Sequence, residues 1–109
     1  LSKIEKIITK DFDAKLGKHP EVRKAVAGVI HLDITGDDGG QWTADLTRSK
    51  DFISEGLEGD PRLTARCSAA DFGDLLKGRK DAQMAVLAGD LELEPMDLDL
   101  VGKLAPLFS

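Results

Sequence analysis

The chain has 109 residues, enough for one domain (residues 1–109) whose single core buries roughly two-thirds of the surface of the unfolded chain. It is 41% hydrophobic and 32% charged with a net charge of −5, the balance of an ordinary water-soluble globule. That balance excludes two classes: Lys and Arg lie scattered among acids, so nucleic-acid phosphates meet no cationic stripe, and no run approaches the ~20 apolar residues of a membrane span.

Taken in order, Ser2 and Glu5 form a capping-box pair, and Ile4, Ile7, Ile8, Phe12 and Leu16 recur at helical spacing as far as Gly17. Pro20 suits the first position of a second, shorter helix bearing Val22, Ala25 and Val26, with Gly28 as its stop. From Val29 the period becomes two: Ile30, Leu32 and Ile34 share one face of an antiparallel strand and His31, Asp33 and Thr35 the other. Gly36 to Gly40 read as a loose hairpin turn, followed by a strand from Gln41 to Thr47 that carries Trp42, Ala44 and Leu46 on one face. Phe52 and Ile53 can form a brief third strand, Glu55 to Asp60 a loop, and Leu63, Ala65 and Cys67 the inward side of a fourth.

Ser68 to Glu94 then reads as one apolar wall. Ser68 and Asp71 open a helix with Phe72, Leu75 and Leu76 on one stripe and Gly78 as its stop; Asp81 caps another, expected to bury Met84, Val86 and Leu87. After a bend at Ala88-Gly89, Leu91 and Leu93 face inward and Glu92 and Glu94 outward. Leu91 to Val101 alternate almost throughout, so period alone allows strands on both sides of Pro95, but Pro95 breaks a continuous ladder, and Leu100, Val101, Leu104, Leu107 and Phe108 follow a final helical face with Asp97 or Asp99 near its start and Pro106 fraying its end. The order of elements predicts an α+β fold, a mostly antiparallel sheet covered on one side by helices.

Catalytic chemistry finds little support. His19 and His31 are expected at the surface, no His-x-x-His or Glu-x-x-His spacing offers a metal site, and Cys67 occupies an inward strand position without an activating pattern. The acids at 92, 94, 97 and 99 alternate with apolar residues as a solvated face does, and Gly36 to Gly40 lead into a strand where a phosphate loop needs a helix. With no signal-peptide core, a lone cysteine and a Leu107-Phe108-Ser109 end unlike a peroxisomal Ser-Lys-Leu, a cytoplasmic location is expected. What remains is apolar surplus on the helix faces, filled by aliphatic groups, since only one Trp and four Phe are present. Such a surplus permits a lipid cavity, and a plain packed core uses the same residues.

The pieces resemble the sterol carrier protein type-two family, the lipid-binding domain also called non-specific lipid-transfer protein. The matching runs are Gly28-Val29-Ile30, Trp42 to Leu46, Leu63-Thr64, Ser68 to Phe72, Asp74 to Gly78 and Asp81 to Leu93. The resemblance implies a twisted sheet of about five strands with an apolar tunnel beneath the helices, and binding of a fatty acid, acyl-CoA or sterol without catalysis, cofactor or metal. It places Phe52, Ile53, Phe72, Leu75, Leu76, Met84, Leu87, Leu100, Val101 and Leu104 along the tunnel, with Gln83 as the polar member. Where the family commonly has a basic stretch after the last strand, this chain has Glu92, Glu94 and Pro95, which disfavours acyl-CoA and anionic membranes. A monomer or weak homodimer with transient membrane contact is expected. The other reading is an accessory or dimerisation module of a larger lipid-processing or alkyl-sulfate-cleaving enzyme, suggested by the absence of an initiator Met at Leu1 and by apolar Leu107 and Phe108 at the end.

Overall fold

The computed structural model describes residues 3–108. The N-terminal repeat folds as one rod: α1 (Lys3–Lys6), a π-helical stretch (Ile7–Phe12) and α2 (Asp13–Lys18). Ile4, Ile8, Phe12 and Leu16 are spaced by four, so at 3.6 residues per turn their stripe would drift by about 40° per step. The wider i→i+5 turns of the π stretch offset that drift, and all four side chains are buried. The Ser2 half of the expected capping box lies outside the described residues.

Pro20 opens α3 (Pro20–Val26), which buries Val22 and Val26. The left-handed stop is Ala27, at φ 49°, and not Gly28. Gly28 serves another need: a β-carbon there would sit 3.2 Å from Cβ of Arg62, so the small residue lets α3 meet the sheet.

The sheet runs β3-β2-β1-β4-β5, built from β1 (Val29–Thr35), β2 (Gly40–Asp45), β3 (Ile53–Glu55), β4 (Pro61–Ser68) and β5 (Glu92–Glu94). Three of the four pairings are antiparallel, in line with the expected mostly antiparallel sheet; the fourth, β1 with β4, is parallel. Alternation marks a strand's faces but not its neighbour's direction, which is why β1 read as simply antiparallel. Register aligns Trp42, Leu32, Ala65 and Leu93 in one row across four strands on the inward face. β2 stops at Asp45, two residues short of expectation, because Oδ1 of Asp45 accepts from both the backbone N–H and the hydroxyl of Thr47 and turns the chain.

The outer face is polar. Arg66 on β4 donates to Asp33 on β1 at 2.8 Å and approaches Glu92 on β5 at 3.6 Å. His31 departs from its expected exposure. The loop after β3 folds over it, so its Nε2–H donates to the Glu58 carbonyl at 2.8 Å and the ring is buried. Neighbouring Thr43 closes the same loop, donating to the Gly56 carbonyl at 2.7 Å and accepting from the Glu58 N–H at 2.9 Å.

The inner face is covered by the N-terminal rod and by α4 (Ala69–Leu76), α5 (Ala82–Ala88) and α6 (Leu98–Leu104). Each of these three helices starts as read: Ser68, Asp81 and Asp97 accept from the backbone N–H groups of Asp71, Met84 and Leu100. β5 ends at Glu94, before the cis Glu94–Pro95 peptide. Pro106 does not fray the turn that holds it; residues Ala105–Phe108 tighten into a 3₁₀ turn that buries Leu107 fully and Phe108 in part. The apolar terminus is therefore core.

Candidate functional site

Between the two layers, on the β1-β4-β5 side of the sheet, lies a cavity of about 30 Å³ whose lining side chains are all apolar. Its floor is Ile30 and Leu32 of β1, Leu63 and Ala65 of β4, and Leu91 and Leu93 around β5. Its roof is Phe12, Phe72, Leu75, Ala82, Val101 and Leu104, closed at one end by Leu107 and Phe108. Phe12 and Phe72 meet edge to face at 5.5 Å and tie the π stretch to α4. Among the described residues no buried side-chain nitrogen or oxygen lacks a partner, so no polar group waits unsatisfied in the interior.

Ligand pockets for drug-sized molecules run to about 300–1,000 Å³. At about 30 Å³ this cavity has room for little more than one small molecule of solvent, and no such solvent would find a polar partner on its walls. A ligand longer than a few atoms would need the layers to part.

The roof is uneven. Phe72, Leu75, Val101 and Leu104 are large and buried, each contributing about 1.5–3 kcal/mol by burial. α5 turns only Ala82 and Ala85 fully inward, with Val86 half-buried, so its grip on the core is about 0.8 kcal/mol per alanine methyl. Gln83, Met84 and Leu87, expected inside, are all exposed, Met84 at 63% and Leu87 at 76%. The inward face of α5 is made by Ala82 and Ala85, which puts the larger side chains of the helix on its outer side.

Of the other predicted positions, Phe72, Leu75, Val101 and Leu104 line the cavity. Leu76 and Leu100 are buried but away from it; Leu76 faces a surface cleft beside Ile7. Phe52 and Ile53 sit at the far edge of the sheet, where Phe52 takes the Arg23 guanidinium over its ring at 4.9 Å and donates its backbone N–H to Asp13 at 3.0 Å. Missed were the floor residues Ile30, Leu32, Leu63, Ala65, Leu91 and Leu93, together with Phe12, Ala82, Leu107 and Phe108. Their signal was the inward set of the alternating strands, which the apolar helix stripes overshadowed.

The residues considered for chemistry are engaged structurally. Asp97 caps α6, and no group of three His, Cys, Asp or Glu among the described residues could hold a metal. Burial pushes the Cys67 thiol up to about 12, helped by the nearby Asp71 charge, so it is a neutral thiol at physiological pH. The sign of the linkage is fixed by its ordinary value of 9.0. Below pH 9 both states hold the proton; above it the unfolded chain ionises first and stability falls until the folded thiol titrates. Between pH 8 and pH 10 the unfolding free energy from urea denaturation should therefore fall by about 1 kcal/mol more for the natural chain than for Cys67→Val. Equal drops would mean that Cys67 is not shielded.

Solved structures of this shape come from several organisms. Palmitated SCP2L2 from Aedes aegypti is 26% identical, with a TM-score of 0.72 over 99% of this chain and 95% of that one. The sterol carrier protein domain 2 of Helicoverpa armigera is 21% identical, with a TM-score of 0.77 over 97% of this chain and 85% of its own. Sterol carrier protein 2 of Yarrowia lipolytica in its apo form is 19% identical, with a TM-score of 0.72 over 94% and 87%. No curated protein sequence matches significantly. The family model described as SCP-2 sterol transfer family matches residues 5–109, and with the mixed five-stranded sheet and its helical cover this places the chain in the SCP-2 sterol transfer family.

Proposed function

We propose that this chain is a non-catalytic carrier that takes one elongated apolar ligand, a fatty acid or sterol, between sheet and helices. The observation that carries the reading is the wholly apolar cavity at the junction of β1, β4, β5, α4 and α6. The family and the palmitated Aedes aegypti relative support the ligand class. Each methylene moved from water into this space contributes about 0.8 kcal/mol. A charged head group has no partner inside and stays at the surface, because burying it unpaired is costly. Selectivity then rests on length and shape. The acids of residues 92–99 weigh against the phosphates of acyl-CoA, and membrane contact is brief.

Delipidated protein titrated with a fluorescent fatty-acid analogue and a sterol analogue should saturate with one site per chain. Absence of saturable binding by both, with no lipid co-purifying from expression, contradicts the proposal.

A second reading, docking of the domain on a partner chain, is favoured by exposed Met84, Leu87, Met96 and Leu98 on and after α5. Light scattering decides whether that partner is another copy: a strictly monomeric particle at high concentration removes self-association.

A further inference from the structure

A cavity this small needs a part of its wall that moves, and α5 is the part least held. It lies between two glycines with left-handed backbone, Gly78 at φ 75° and Gly89 at φ 83°. A β-carbon on Gly89 would meet nothing within 4 Å, so its backbone conformation, not crowding, calls for glycine there. Between these points the helix gives the core its small residues and keeps Met84 and Leu87 outside. Of its own side chains, lifting it withdraws only Ala82, Ala85 and part of Val86 from the core.

One side chain bridges this segment to both flanks. Nζ of Lys80, in the turn that leads into α5, donates to Oδ1 of Asp71 at 2.8 Å and to Oδ2 of Asp90 at 3.1 Å. Asp71 stands in the first turn of α4, which is anchored by buried Phe72, Leu75 and Leu76. Asp90 follows the second glycine, at the corner into β5. Lys80 is thus the moving part's link to the helix before it and to the strand after it, and it is only partly exposed.

We propose that α5 is a lid hinged at Gly78 and Gly89, and that Lys80 latches it by holding Asp71 and Asp90 together. The lid serves the carrier reading given above and rests on it; the latch is a property of the fold. With the latch present in the closed form, both free and loaded, and broken in the open one, it slows uptake and release alike and leaves affinity nearly unchanged. The flanking charges support a persistent contact: the two carboxylates hold the Lys80 ammonium well above its usual range, Asp71 first, and Lys80 holds Asp71 below the usual carboxylate range.

The test is Lys80→Met in the full chain, read in two ways. Hydrogen exchange followed by mass spectrometry, without lipid, should show the amides of residues 82–90 exchanging about three- to tenfold faster, with those of β1 and β4 unchanged. Stopped-flow mixing with a fluorescent fatty-acid analogue should show association and release both faster by a similar factor, and a dissociation constant within twofold. Asp90→Asn, which removes one arm, should move both readouts in the same direction by less. Arg79→Met, beside Lys80 but 3.9 Å from Asp74 within its own turn, should change neither.

Unchanged α5 exchange in a chain that binds the analogue overturns the latch and leaves the carrier reading standing. Faster α5 exchange in a chain that binds no analogue overturns the carrier reading and leaves the latch. A uniform rise in exchange across β1, β4 and α5 means that Lys80 only supports global stability, and overturns the proposal.

Discussion

Truncating Phe72 to alanine should cost about 3–5 kcal/mol of folding stability, a large share of the roughly 5–15 kcal/mol available to a domain of this kind. Phe72 is buried, meets Phe12 edge to face, and forms the roof of the cavity directly over the sheet. Its removal takes away an aromatic pair and leaves a void that the fixed ends of α4, Ser68 at one end and the Lys77-Gly78 turn at the other, do not let collapse. Urea denaturation read by Trp42 fluorescence measures the loss. The same variant should recover more stability from added fatty acid than the natural chain does, because the ligand fills the void as well as the cavity. A loss below 1 kcal/mol would mean that α4 is not the roof described.

Ala65→Phe should weaken binding of a fatty-acid analogue by roughly 50-fold. Ala65 stands at the middle of the inward row between Leu32 and Leu93, with the cavity directly above it. A phenyl group there displaces about three methylenes of an acyl chain, at about 0.8 kcal/mol each, and about 1.4 kcal/mol is a factor of ten. Overpacking a rigid core costs about 1–3 kcal/mol. Layers able to part for a ligand should accept the phenyl group at the low end of that range, about 1 kcal/mol by urea denaturation. Unchanged affinity would place the ligand elsewhere.

The sequence made the elements legible where a local physical rule decides them. Ser68 and Asp81 each announced a helix start, and Asp97 was one of two candidates for a third, because a short oxygen-bearing side chain before an apolar run satisfies free backbone N–H groups. Ile30, Leu32 and Ile34 showed their face by period alone, and the resemblance to sterol carriers rested on such runs. What was not legible depends on the third dimension. The α5 sequence Ala82–Ala88 is apolar nearly all round, so its pattern picks no face; the fold turns Ala82 and Ala85 inward and leaves Met84 and Leu87 outside. His31 lies on the outer face, and only the return of Glu58, far along the chain, covers it. The resemblance puts Phe52 along the tunnel; Phe52 is buried, but the sheet order sets it at the edge, away from the cavity.

The Cys67 thiol illustrates the same division. Its inward position could be read from alternation, and the consequence, a neutral thiol up to about pH 12, follows from the depth that the fold supplies. The side chains that border the cavity are all apolar.

The most direct measurement is an isotope-filtered NOE experiment on the chain loaded with ¹³C-labelled palmitate. The account predicts intermolecular contacts from the acyl methylenes to the methyl groups of Leu63, Leu75, Leu93, Val101 and Leu104. Contacts confined to Met84 and Leu87 on the outer face of α5, or none at all, would contradict it.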